Sequence, residues 1–352
     1  MLTRAVRAVA VVALFAAAGV SVRTSSKLPD RLEGPAFWRL SQELSEAGGM
    51  FPSENLVSNE EAFPDVLDSL AARVPAGTAH IGVGPEQNFS YIAETHPGIV
   101  FIVDVRRGNL QLQLLYKAIF ELSTTRAEFV SRLFGRTVPR KLGNDATAAA
   151  IFGAIEDVGS TSDRLAAEFR AVSVRLVDAD HLPIPAEDLT AIRALLSAFH
   201  DFGPQISYSP GDFGWPTFSS LMRRTDGRRE RSFLSSEASY RTVRDLERRH
   251  LVVPVVGNLA GSKTLEAIGH YLRDHDATVG AMYVSNVEHY LILDHSWRAF
   301  CSNVRALPLT DRSTFIRSSA VRPFGGLIPT LGSMQDQTLS CASALSTGGH
   351  RW

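Results

Sequence analysis

Two hydrophobic rhythms alternate along this chain. Short apolar runs such as "AHIGVG" (79–84), "GIVFIVD" (98–104), "LVVPVVG" (251–257) and "ATVGAMYVS" (277–285) have strand length. The second has no polar alternation, which marks a strand covered on both faces. Between and around these runs, apolar residues recur at helical spacing. "PAFWRLSQELSEAGGMF" (35–51) predicts a helix stopped by Gly48 and Gly49. In "SENLVSNEEAFPDVLDSLAARV" (53–74), Ser58 followed three residues later by Glu61 predicts a capping box opening the next helix. "NLQLQLLYKAIFEL" (109–122) sets Leu110, Leu114, Leu115, Ala118, Ile119 and Leu122 on one helical face. Residues 125–135, 145–156 and 161–173 also read as helical, as does the stretch from about Ala186 to Gly203.

The strand–helix alternation then resumes. "SKTLEAIGHYLRDH" (262–275) predicts a helix capped by Ser262, "HSWRAFCSNVRALP" (295–308) another, and "STFIRSS" (313–319) a last short strand. Strands alternating with helices point to a parallel sheet. The expected fold is a Rossmann-like α/β domain over residues 35–320. Its sheet would be doubly wound and mostly parallel, with a mainly helical insertion at about 125–203. There is no internal repeat.

Composition narrows this picture modestly. The 352 residues are 45% hydrophobic and 21% charged, ordinary globular values. Lys plus Arg is 36 against 37 for Asp plus Glu, which argues against a protein built to coat nucleic acid. Residues 1–26 differ in kind. Arg4 and Arg7 precede an uncharged apolar run, Ala8 to Val22, followed by polar residues, and the small residues Ala16–Ala18 within the run offer an A-x-A-like cleavage site. This reads as a secretory signal, too short for a permanent membrane anchor. The protein would be exported or periplasmic if that segment is processed, and cytoplasmic otherwise. The two cysteines, Cys301 and Cys341, form no C-x-x-C. In an exported protein the two could pair, but Cys301 reads rather as a free buried thiol, since Cys341 falls in a Ser/Thr/Gly-rich tail, 333–352, expected to be disordered.

The turn "GVGPEQNF" (82–89) is the first candidate for chemistry. In doubly wound folds, ligands sit outside the carboxyl ends of the strands, where turns and helix N-termini converge. Gly82 and Gly84 would let the backbone approach a ligand, with Pro85, Glu86, Gln87 and Asn88 completing a cradle. Asp104 ends the next strand 20 positions after Gly84, the spacing at which a carboxylate holds a ribose. Gln87 stands where a third glycine is expected, and Glu86 would repel a pyrophosphate. Such a turn suits a cofactor without phosphates, S-adenosylmethionine above all, better than NAD. A tight turn that needs its glycines only for backbone geometry is the competing account. Arg106 and Arg107 have two readings, a grip on an anion or structural ion pairs at the sheet edge.

Further loops fall on the same predicted edge. "VVGNLAG" places Asn258 after a strand, and "YVSNVEHY" places Ser285, Asn286 and Glu288 after another. Asn258, Asn286 and Glu288 are the candidates for orienting an acceptor, Glu288 also as a general base. Loop residues capping the helices that follow them are the plainer alternative. Trp215 and Phe213 suggest a lid or substrate wall, or simply a surface loop. Five arginines between Arg223 and Arg231 read as an exposed charged turn more readily than as an anion grip. No histidine pattern has metal-ligand spacing.

The segments "GGMFPSENLVSNE" (48–60), "GVGPEQNF" (82–89), "FIVDVRRGN" (101–109), "VVGNLAG" (255–261) and "SNVE" (285–288) together resemble a family of bacterial proteins with no assigned reaction. The resemblance spans about residues 35–318. More distantly the chain resembles class I methyltransferase-like Rossmann domains, which implies a fold and an adenosylmethionine site rather than an activity. In one departure, Asn258 stands where that family has an aspartate; if that position is a general base in relatives, this member would be impaired or would use Glu288 instead.

The expected function is therefore a nucleoside-cofactor-binding protein, methyltransferase-like, acting on a small-molecule or peptide acceptor. An exported, non-catalytic binding protein on the same fold is the first alternative. The signal-like segment favours it, because adenosylmethionine is a cytoplasmic metabolite. An NAD-dependent enzyme is the second.

Overall fold

The computed structural model describes residues 27–139, 142–209, 214–320 and 326–343. The predicted signal segment, residues 1–26, lies outside the described residues, as does Phe213. The apolar runs form the strands of one six-stranded sheet: β1 (Ala79–Gly82), β2 (Ile99–Asp104), β3 (Val252–Val256), β4 (Val279–Ser285), β5 (Leu309–Ala320) and β6 (Leu327–Ser333). Their spatial order is β3-β2-β1-β4-β5-β6. Neighbours from β3 through β5 pair in parallel, with Ile81 opposite Phe101 and Met282, and β6 returns antiparallel to β5 at the edge. β1 and β3 are buried at every position and β2 and β4 at all but their last residue, as expected of strands covered on both faces.

Fourteen α-helices surround the sheet among the described residues. They are α1 (Gly34–Leu44), α2 (Pro64–Arg73), α3 (Gln87–Thr95), α4 (Arg107–Leu122), α5 (Arg126–Phe134), α6 (Ala148–Gly153), α7 (Ser162–Ser173), α8 (Ala186–Phe202), α9 (Phe218–Met222), α10 (Glu237–Arg248), α11 (Thr264–Asp274), α12 (Val287–Leu293), α13 (Trp297–Arg305) and α14 (Met334–Ser343). A six-residue π-helical turn, Val174–Ala179, extends α7. Helices alone fill the chain between β2 and β3 among the described residues, apart from two isolated bridges. α3 packs with α2 and α10, and α4 with α8 and α10. Elsewhere α11 packs with α1 and α13, and α13 with α14. α4 is buried nearly all round rather than on one stripe, including Tyr116, Lys117 and Phe120 outside the predicted face. Phe120 stands at the centre of an aromatic cluster with Phe89, Phe129, Phe233 and Tyr240.

Several expectations are corrected. The capping box at Ser58 does not form: α2 begins at Pro64, where proline's missing N–H costs nothing. Ser262 does not cap α11, whose N-cap position is Lys263. β6 was not foreseen because "LIPTLGS" holds Pro329 and Gly332, residues that survive in strands mainly at edges. The tail expected to be disordered opens with α14, and residues 344–352 lie outside the described residues. Cys301 is disulfide-bonded rather than free, and Cys341 is the only other cysteine of the sequence. No helix among the described residues is long and apolar enough to cross a membrane.

Candidate functional site

The carboxyl edge of the sheet is crossed by one extended segment, residues 45–60, and that segment organises the site. It starts at the β3 end, where the Glu46 N–H donates to the Val256 carbonyl (2.9 Å) and the Glu46 carboxylate accepts from the Asn258 N–H (2.8 Å). At the β2 end, the Gly49 N–H donates to the Val105 carbonyl (2.7 Å), and the Arg106 guanidinium donates to the carbonyls of Ser53 and Glu54. At the β1 end, the Ser58 N–H donates to both oxygens of Glu86 (3.1 and 3.2 Å). It finishes over β4 and β5, where the Glu60 carboxylate accepts from the hydroxyls of Tyr283 (2.7 Å), Ser285 and Ser318. The strap thus follows the strand order from β3 to β5. Nothing in its sequence has the periodicity of a helix or strand, so its backbone and side chains are satisfied by the strand ends instead.

Beneath the strap lies the β1–α3 turn, and residues 81–90 are all buried. Gly82 is required by close packing: a Cβ there would stand 1.7 Å from the Asn88 Oδ1 and 3.0 Å from the His80 Nε2. Asn88 staples the turn, its amide donating to the carbonyls of Val83 (2.9 Å) and Pro85 (3.0 Å) while its oxygen meets the His80 Nε2 (3.2 Å). Gly84 has φ +75°, the left-handed region glycine adopts freely, and only Asn55 of the strap comes near it. The glycines and Asn88 therefore have an internal, geometric explanation, the competing account of the turn.

The polar groups around this turn do not all have partners. Gln87 opens α3 with both amide atoms buried and unpaired. On α4, which faces the turn, Gln113 donates to the Gly84 carbonyl (3.2 Å) but its oxygen is unpaired. Asn109, one turn earlier on the same face, is 2% exposed with neither amide atom paired, and the Tyr116 hydroxyl is likewise unpaired. Buried polar atoms without partners are uncommon, and a local concentration of them requires explanation by water or ligand. Burial pushes the Glu86 carboxyl up to about 7, the Ser58 N–H opposing, and the phenols of Tyr116 and Tyr91 far up. Burial likewise raises Glu60, against the three hydroxyls that favour its ionised form.

Charged residues at the edge are engaged within the protein. Both oxygens of Asp104 accept from Arg106, at 3.0 Å from Nε and 2.8 Å from Nη2. Arg107 pairs with buried Asp188. Arg106 and Arg107 thus each form an ion pair within the protein. Glu288 pairs with Arg317 of β5 (2.6 Å), and burial raises the acid and lowers the guanidinium. Asn286 meets only the Ser285 hydroxyl (3.4 Å), and Ser285 itself holds a left-handed φ of 50°. Asn258 caps its own turn, accepting from the Ala260 N–H (2.9 Å). Asn286 and Glu288 follow β4, whereas Asn258 follows β3, three strand spacings away. At about 4.8 Å per spacing, roughly 14 Å separates them, so the three do not converge on one small acceptor.

Elsewhere, Trp215 stacks on Tyr208, whose carbonyl accepts from the strap's Leu56 N–H. The arginine-rich turn is partly interior: Arg231 is buried among Asp68, Glu94 and Asp226.

Sequence reasoning missed Glu60, Gln113 and Asn109 as site residues. The first sits in the quoted segment "GGMFPSENLVSNE", and its lack of periodicity was the available signal. No curated protein matches the chain. Residues 56–338, most of the molecule and all of its sheet, match the family described as Domain of unknown function (DUF7790), and the chain belongs to that family.

Proposed function

We propose that this protein binds a small nucleoside-bearing ligand, S-adenosylmethionine in the first instance, at the β1–α3 turn, and that the 45–60 strap is the flap it passes. The carrying observation is the set of buried unpaired polar atoms on Gln87, Asn109, Gln113 and Tyr116. Amides offer both donors and acceptors to a purine or an amino-acid moiety, and the neighbouring guanidinium of Arg106 is already engaged by Asp104. The strand order β3-β2-β1-β4-β5-β6, with two separate sets of packed helices, supports a doubly wound Rossmann-like reading. In such a sheet the order reverses between β1 and β4, and ligands bind at that crevice.

Gln87, Asn109 and Gln113 would hold the ligand's polar edge, and Glu86 its cationic portion. Asp104 would reach a ribose only by giving up Arg106, which in turn releases the strap at Ser53 and Glu54. Asn286 and Glu288, beside Ser285, would orient an acceptor, and Asn258, after β3, would not take part. Methyl transfer demands positioning more than covalent chemistry, so a site of amides is no obstacle.

A non-catalytic binding protein is the second reading. What favours it is that Glu60, Glu86, Asp104 and Glu288 all have protein partners, leaving no unengaged base among them.

The test is thermal shift of the full chain with adenosylmethionine, adenosylhomocysteine and NAD, repeated on Asn109→Leu. Removing an unpaired buried amide leaves the ligand-free protein as stable or about 1 kcal/mol more so, while abolishing the adenosylmethionine shift. No shift with any nucleoside sinks the proposal, and a shift unchanged in the variant moves the site elsewhere. Binding without methyl transfer to any supplied acceptor selects the second reading.

A further inference from the structure

At the opposite, amino end of the strands lies an open cleft of about 580 Å³, lined by Arg31, Arg175, Arg244, Arg248 and Arg249 with only Glu121 and Asp245 as counter-charges. We infer that this cleft is a binding site for a small multiply charged oxyanion, a phosphate or a phosphate-bearing small molecule. Its walls come from four separate parts of the chain. Arg31 precedes α1 and is brought in by the Leu32 N–H to Arg249 carbonyl bond (3.0 Å). Arg244 and Arg248 lie four apart on one face of α10, and Arg249 follows it. Glu121 closes the last turn of α4.

Arg175 comes from the π-helical turn, whose i→i+5 bond joins the Asp180 N–H to the Arg175 carbonyl (3.0 Å). Such turns are rare and recur at functional sites.

The charge in the cleft is not internally balanced. Glu121 already serves Lys117 (2.5 Å) and Arg175 (2.8 Å), and Arg175 also pairs with Asp180, so the surplus charge rests on Arg31, Arg244, Arg248 and Arg249. Arg244 donates to the Ser123 carbonyl, and Arg249 to the carbonyls of Asp30 and Asp245, neutral acceptors that leave the guanidinium charge intact. Arg31 has only a 3.9 Å contact with exposed Glu33, and Arg248 has no partner among the described residues. Guanidiniums converging without counter-charge repel one another, and an oxyanion taking paired N–H donors relieves that repulsion. A helix C-terminus also favours arginines, which accounts for Arg248 and Arg249, and ion pairs account for Arg175, but neither accounts for Arg31.

A cation is the wrong occupant. Glu121, Asp180 and His250 do bring ligand atoms within 4.8 Å of one another. The Lys117 ammonium and Arg175 guanidinium already pair with those carboxylates, so a metal ion would have to expel two positive charges. The volume exceeds what one phosphate fills, leaving room for an organic portion.

Isothermal titration of the full chain with inorganic phosphate, pyrophosphate and ribose 5-phosphate tests this, with the Arg31→Gln/Arg248→Gln double variant alongside. Both side chains are exposed, so the variant keeps its fold, which its melting temperature verifies. Saturable one-to-one binding, weakened about fivefold or more in the variant, is expected. Tighter binding of ribose 5-phosphate than phosphate assigns an organic phosphate, and the reverse assigns the inorganic ion. Absence of saturable binding for all three, or binding that the double variant leaves unchanged, overturns the inference. Neither outcome bears on the nucleoside site, which is at the other end of the sheet.

Discussion

The two ends of the sheet handle polarity in opposite ways. At the carboxyl end, charges are neutralised within the protein and roofed by the strap, while neutral amides beneath it are left unpaired. At the amino end, buried atoms of Ser123, Glu247 and His250 also lack partners, but what sets this end apart is positive charge that remains exposed to solvent. A covered site with idle amides is suited to a neutral, shape-recognised ligand that displaces a flap. An open site with idle guanidiniums is suited to a soluble anion reached directly. The lesson is that a family resemblance concentrated on one edge does not exhaust the molecule's binding surface.

The comparison breaks first at Glu60. Replacing it with leucine leaves the buried hydroxyls of Tyr283 and Ser318 without this acceptor, releases half-buried Ser285 and frees the strap, at a cost of about 3–5 kcal/mol. Urea denaturation measures this. A loss below about 1 kcal/mol would mean that the strap is not anchored at β4 and β5.

A smaller effect, on the order of 2 kcal/mol, is expected from pH through Glu247 behind the amino-end cleft. Burial pushes this acid up to about 8 from its ordinary 4.5, with Lys117 opposing. An acid raised on folding stabilises the fold in its protonated form, so the contribution is complete below 4.5 and is lost as pH rises towards 8. His80 and His250, both held near 4 by burial, act in the opposite sense, but only between 4 and 6.5. Stability should therefore fall from pH 6.5 to 8, and Glu247→Gln should flatten that fall. An unchanged slope would show that Glu247 is ionised in the fold.

The smallest change is expected at the cleft rim. Arg31→Gln with Arg248→Gln should alter stability by less than about 0.5 kcal/mol. A larger destabilisation in calorimetry would recast these arginines as structural and remove the contrast between the two ends.

Legibility followed the range of the interactions. The β1 turn and Asp104 could be placed from the sequence because strand and turn chemistry act within a few residues, and even Asn88 bonds only within eight. The strap could not. Ser58 meets its partner 28 positions away and Glu60 meets Ser318 at a separation of 258. The helical pattern of α4 was visible, yet which of its polar residues would be buried was not, because Asn109 and Gln113 look like a solvated face until the tertiary fold buries them.

By itself, the sequence determined strands β1 to β4, since unbroken runs of β-branched and aliphatic residues have few stable places outside a sheet covered on both faces. It also determined the glycine turn and the alternation that makes the sheet mostly parallel. Only the tertiary structure decided which polar groups were spent and which were left idle. Pairing of a side chain depends on groups brought together by the folding of the whole chain, and no local pattern encodes that meeting.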